Sequence, residues 1–156
     1  MRILGIDPGY ERLGIALIEG SRGKEKLIYS ECFKTSATLS FAERLLLIGK
    51  KIEALIKTYN PNTLAIENLF LQSNQKTAMR VAEVRGAILY LARARGLVVA
   101  EYTPLQIKSA IVGYGKGDKH QVASMVAKLI KVPIRKVLDD EYDAIAIALT
   151  ASASLR

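Results

Sequence analysis

The sequence is poor in three things: it has one cysteine, one histidine, and no apolar run approaching a membrane span in 156 residues. Each scarcity excludes something. A lone thiol, Cys32, cannot close an intrachain disulfide, which points to a reducing compartment. The single imidazole, His120, has no second histidine or cysteine to share a zinc ion, and beside Lys119 it reads as an exposed side chain. Crossing a bilayer takes about 18 or more consecutive apolar residues, and Arg2 and Asp7 interrupt any signal-peptide pattern at the N-terminus. Half of the residues are hydrophobic, too many for a disordered chain. The expectation is one cytoplasmic domain over residues 1–156, able to bury roughly 70% of the surface its unfolded form exposes.

What the chain does have is positive charge, 23 basic side chains against 15 acidic, for a net +8. That balance alone only hints at a polyanionic partner. Its distribution says more. Lys76, Arg80, Arg85, Arg93 and Arg95 stand against Glu83 alone in residues 70–95, and seven basic groups stand against Asp118 in residues 104–136. The sign then reverses in Asp139, Asp140, Glu141 and Asp143. A basic stretch running into an acidic knot suggests a metal site beside an anion-binding surface.

Periodicity orders the elements. RILGID, LGIALIE and KLIYSECF, separated by short Gly-containing turns, predict an antiparallel three-stranded meander. From Phe41 to Tyr59 the apolar spacing turns helical, with Ser40 and Glu43 as a capping box and Asn60-Pro61 as the stop. Leu64–Glu67 reads as a strand, 74–95 as a long helix ending at Gly96, and 97–102 as the fifth strand. Thr103-Pro104 opens a helix, Asp118 caps another reaching about Lys131, and a last helix begins near Asp139. The order βββαβαβααα predicts an α/β domain: a five-stranded mixed sheet with helices on both faces and its ligand site beyond the carboxyl ends of the parallel strands.

Asp7 and Glu67 each end a strand otherwise fit for burial, where an unpaired charge is costly. If those strands are parallel neighbours, both acids emerge at one sheet edge. Asp140 and Asp143 stand i and i+3 on a helix face that continues in Ala144 and Ile147 toward the sheet; Asp139, at i−4 from Asp143, is an equal partner on spacing alone. Four carboxylates without clustered histidine or cysteine suit Mg²⁺ or Mn²⁺ rather than zinc. Two such ions about 3.5–4 Å apart serve in-line phosphodiester hydrolysis.

The blocks ILGIDPGYERLGIALIE, PNTLAIENLFLQSNQKTAMRVAEVRGAI, YTPLQIKSAIVGYGKGDKHQV and DDEYDAIAIALT resemble, in order and over nearly the whole chain, bacterial RuvC-type Holliday junction resolvases of the ribonuclease H-like superfamily. The resemblance implies Asp7, Glu67, Asp140 and Asp143 as metal-binding catalytic acids, since the family's last acidic motif is D-x-x-D, which favours Asp140 over Asp139. It implies Lys108 and Lys119 as active-site lysines, and Phe70 at the junction crossover, where an apolar wedge unstacks bases. Lys76, Arg80 and Lys116 are the further expected DNA contacts. It also implies a homodimer that nicks opposing strands of four-way junction DNA, leaving 5′-phosphate and 3′-hydroxyl ends, with the RuvA and RuvB branch-migration proteins as partners. Asp7-Pro8-Gly9…Gly14 also fits the phosphate loop of actin-like ATPases, but those proteins need a second such domain. A non-catalytic junction binder would lose some of the acids, and all four are present. The IENLF and GKGDKHQV blocks favour the junction over an RNA–DNA hybrid or a role in ribosomal RNA processing.

Overall fold

Strand alternation divides the molecule into two apolar layers. The computed structural model describes residues 1–21, 23–69 and 75–155. Three antiparallel strands, β1 (Arg2–Asp7), β2 (Arg12–Glu19) and β3 (Lys26–Lys34), precede α1 (Phe41–Tyr59), β4 (Thr63–Glu67), α2 (Gln75–Ala94) and β5 (Val98–Tyr102). Helices α3 (Pro104–Val112), α4 (Lys119–Leu129) and α5 (Asp139–Ser154) complete the chain. The sheet order is β3-β2-β1-β4-β5, with β4 parallel to both β1 and β5, as the element order predicts. Side chains on alternate strand positions point to opposite faces. Leu4, Ile6, Leu13, Ile15, Leu17, Leu64 and Ile66 pack under α1 and α2, whereas Ile3, Ala16, Ile18 and Ala65 pack under α3, α4 and α5. Among the described residues no helix is long and apolar enough to cross a membrane.

The expected caps are present. Ser40 with Glu43, Thr103 with Gln106 and Asp118 with Gln121 each form reciprocal capping boxes. Asn60 closes α1 in the left-handed region. α4 ends two residues before Lys131, because Ile130 turns extended and buries its side chain in the layer under α5.

α5 carries no side-chain N-cap, since Leu138 precedes it. Its first turn is held by Glu141, which is 2% exposed. The Glu141 carboxylate accepts from both Arg135 guanidinium nitrogens (3.0 and 2.7 Å), from Ser30 Oγ (2.9 Å) and from the Leu138 amide (3.3 Å). Arg135 also donates to the Ser30 carbonyl oxygen, tying this turn to β3. Although burial opposes ionisation, these donors hold Glu141 below the ordinary glutamate range. A depressed folded pKa stabilises above the unfolded value and ceases to do so as pH falls through the folded one. Arg135→Ala should therefore cost about 1–2 kcal/mol at neutral pH, discounted for the half-exposed arginine. Thermal melts from pH 7 to pH 3 should show that cost shrinking; a constant difference would mean the loss is one of packing.

Candidate active site

Pleat parity puts the two strand-end acids on the α5 face. Ile6 pairs with Ile66 across the parallel β1–β4 ladder, so Asp7 and Glu67 are the next residues of adjacent strands, two beyond Gly5 and Ala65, which lie under α5. Asp7 pairs with Gly14, Gly14 with Cys32, and Glu67 with Tyr102, making one row across the sheet edge. The start of α5 lies over that row. A Cβ added at Gly14 would stand 2.1 Å from the Asp140 carbonyl oxygen, so the glycine itself permits the close approach.

The four acids share this edge and repel one another. Asp7 is pushed up to about 8, first by burial and then by Asp143, Glu67 and Asp140. Glu67 rises to about 6 through burial and Asp143, against the pull of Lys119 and Lys108. Asp143 is also raised by burial, with Lys119, 4.0 Å from its carboxylate, pulling the other way. Asp139 is exposed; like Asp140 it raises Asp143, but of the two only Asp140 also acts on Asp7.

An open cleft of about 680 Å³ runs along the same edge, lined by Asp7, Glu67, Asn68, Val81, Leu105 and Lys108, among others. Lys108 is part of that lining, and Lys119, its side chain 79% exposed, reaches the acids at Asp143. Lys116 is exposed in the loop before α4. Lys76 and Arg80 are not brought to the carboxylates; they line a separate pocket by α1. Phe70 lies outside the described residues.

Two neighbours of the acids have no signal in the sequence pattern. The Arg12 guanidinium donates to Asp140 Oδ2, and the Cys32 sulfur lies 3.5 Å from the same oxygen. Burial pushes the Cys32 thiol up, so it stays protonated and able to donate. What unites them with the acids is register: Cys32 and Gly14 share a row that only the sheet reveals. Asp140 is paired with Arg12. Among the described residues no three His, Cys, Asp or Glu side chains converge enough to hold one ion. The donor chemistry nevertheless fits a hard divalent cation. The acids offer only oxygen, and the crowding that raises Asp7 and Glu67 is what a cation relieves.

A mixed sheet in this order, with acids ending its first and fourth strands and opening its last helix, defines a ribonuclease H-like fold of the resolvase type. The family model for crossover junction endodeoxyribonuclease RuvC matches residues 3–151, and the chain belongs to that family. It is 42% identical over 156 residues to the crossover junction endodeoxyribonuclease RuvC of Syntrophomonas wolfei, covering all of this chain and 91% of that one. The corresponding Moorella thermoacetica protein is 42% identical over 149 residues, covering 96% and 89%. Among solved structures, T. thermophilus RuvC in complex with a Holliday junction substrate superposes with a TM-score of 0.91 at 31% identity, covering 97% of this chain and 93% of that one.

Proposed function

We propose that this chain resolves four-way (Holliday) DNA junctions by paired symmetric nicks, in homologous recombination and DNA repair in the cytoplasm. The observation that carries this reading is that Asp7, Glu67 and Lys108 line one open cleft, with Asp143, Asp140 and Lys119 near enough to act on the Asp7 carboxyl. Family membership supports it, as does the likeness to a relative described with a junction substrate.

The four acids are the residues that would hold Mg²⁺, with Mn²⁺ as a substitute; two such ions supply Lewis acidity to the attacking water and to the leaving oxygen. Lys108 and Lys119 take the scissile phosphate, offsetting its charge. Water attacks phosphorus in line with the bond to the 3′ oxygen. That bond breaks, the 3′ oxygen leaves as a hydroxyl, and the phosphate stays on the 5′ end. Arg12 is a positioning residue that holds the Asp140 carboxylate at the β2 side of the site. Lys116 contacts backbone phosphate, and Phe70 stacks at the crossover.

The enzyme acts as a homodimer, with one site for each of two opposing strands. Met79, Ala82, Gly86 and Tyr90 recur at helical spacing on the outer face of α2, and Met79 and Tyr90 are 66% and 73% exposed. That stripe suits a second copy of the same helix. RuvA and RuvB are the partners that family membership suggests.

The test is incubation of a synthetic four-way junction with protein and Mg²⁺, beside linear duplex and RNA–DNA hybrid controls. Symmetric paired nicks in the junction alone are expected. Equal cutting of the hybrid would exclude the proposal. Lys119→Ala should slow cutting roughly 10–100-fold without moving the melting temperature, because the side chain is exposed. A wild-type rate would remove Lys119 from the mechanism.

A further inference from the structure

On the opposite face of the sheet from the carboxylates, the β1–β2 turn and the first turns of α1 and α2 enclose a pocket of about 330 Å³. Its walls include Tyr10, Phe41, Arg44, Lys76 and Arg80. Arg44 is the unusual member. It is 7% exposed, and its Nε is buried without a hydrogen-bond partner. Its nearest carboxylate is Glu11, which is exposed and 3.7 Å away. A buried guanidinium so thinly compensated is costly. The aromatic rings nonetheless hold the two guanidinium groups in place. Arg44 lies 5.6 Å from the Tyr10 ring centroid, Arg80 lies 4.1 Å from that of Phe41, and the two rings meet edge to face at 5.8 Å. Arg80 retains one surface contact, 3.1 Å to Glu83.

We propose that this pocket binds a phosphate group. Two guanidinium groups held over aromatic rings, one of them with an unpartnered Nε, and the exposed Lys76 beside them match the several acceptor oxygens of a phosphate, which guanidinium groups bind by paired hydrogen bonds. Tyr10 is three residues beyond Asp7, so the pocket lies over the sheet edge from the cleft. A DNA strand held at the carboxylates can wrap that edge and place a further phosphodiester here. This source rests on the junction-nuclease reading; the phosphate chemistry does not, since a free phosphate would meet the same groups.

Two measurements separate these sources. Binding of an uncut four-way junction is followed by fluorescence anisotropy in EDTA from 50 to 300 mM salt for the wild type, Arg80→Ala, Lys76→Ala and Arg44→Gln. In parallel, thermal shift in 10 mM inorganic phosphate is measured against the same ionic strength of chloride. For a backbone phosphate, Arg80→Ala and Arg44→Gln should each weaken junction binding about three- to ten-fold and flatten the log–log salt slope by about one. Phosphate stabilisation lost in the variants with junction binding unchanged would assign the site to a free phosphate. Wild-type values for the variants in both arms would overturn the site, and Arg80→Ala, a surface change, keeps that outcome reachable if Arg44→Gln unfolds. Junction cutting by the wild type in Mg²⁺ is scored separately. Its absence would overturn the nuclease reading while the phosphate arm still decides the pocket.

Discussion

Asp7→Asn should reduce junction cutting on the order of 10³-fold and at the same time raise the melting temperature of the cation-free protein by roughly 5–10 °C at pH 7–8. Cutting falls because the amide replaces one of the grouped carboxylates with a neutral and weaker oxygen donor. Stability rises because this carboxyl is strained where it stands. Burial and the charges of Asp143, Glu67 and Asp140 push it up to about 8, whereas an unfolded aspartate ionises near 3.8. A folded pKa above the unfolded one makes a contribution that is whole below pH 3.8 and is lost as pH climbs through about 8. The wild type should therefore weaken relative to Asp7→Asn over that window, by roughly 2–3 kcal/mol once solvent in the cleft is allowed for. Near pH 4 the two should melt together. Added Mg²⁺ should stabilise the wild type more than the variant, by mass action. Calorimetry from pH 4 to pH 9, with and without Mg²⁺, makes the test. A variant that melts lower than wild type at pH 8 would show that Asp7 supports the fold rather than straining it.

That strain explains why the strand-end acids are legible in the amino-acid sequence. Asp7 and Glu67 interrupt apolar runs whose other members are fully buried, Ile6 and Ile66 among them. A charge at such a place needs a reason; that the two acids meet rests on the parallel pairing of β1 with β4, which the element order allows and the sheet supplies. The i, i+3 spacing of Asp140 and Asp143 likewise follows from helix geometry, but the choice between Asp139 and Asp140 does not. It depends on how α5 is rolled on the sheet. Glu141 sets that roll, and its partners Arg135 and Ser30 lie 6 and 111 residues away. Arg12 is hidden for the same reason, because its 128-residue separation from Asp140 closes only when β2 lies under α5. Arg44 leaves a local trace: it falls in the stripe of Phe41, Leu45 and Ile48, where a charged side chain must be buried or displace the helix. Long-range pairing between polar side chains leaves no period in a sequence, whereas apolar burial does.

Gly14→Ala should be the most damaging single-methyl change at the site. The new Cβ would stand 2.1 Å from the carbonyl oxygen and 2.8 Å from the carbonyl carbon of Asp140, and 3.0 Å from Asp7 Cβ. Two of these three atoms are backbone, so no rotamer change relieves the overlap. Either β2 must sink or the first turn of α5 must lift. β2 has little freedom, since Leu13 and Ile15 on either side are fully buried against α1 and α2. Lifting α5 takes Asp140 and Asp143 away from Asp7 and Glu67 and strains the Glu141 clamp to β3. We expect a loss of about 2–3 kcal/mol, or roughly 5–10 °C in melting temperature, with cutting reduced even at temperatures where the variant is fully folded. Gly49→Ala is the matched control. It lies within α1, where the nearest atom to an added Cβ is Leu91 Cδ1 at 3.7 Å, an ordinary contact. There the helix should gain roughly 0.5–1 kcal/mol and cutting should be unchanged. If Gly14→Ala instead cuts at the wild-type rate when folded, close contact between α5 and β2 is not what assembles the four carboxylates.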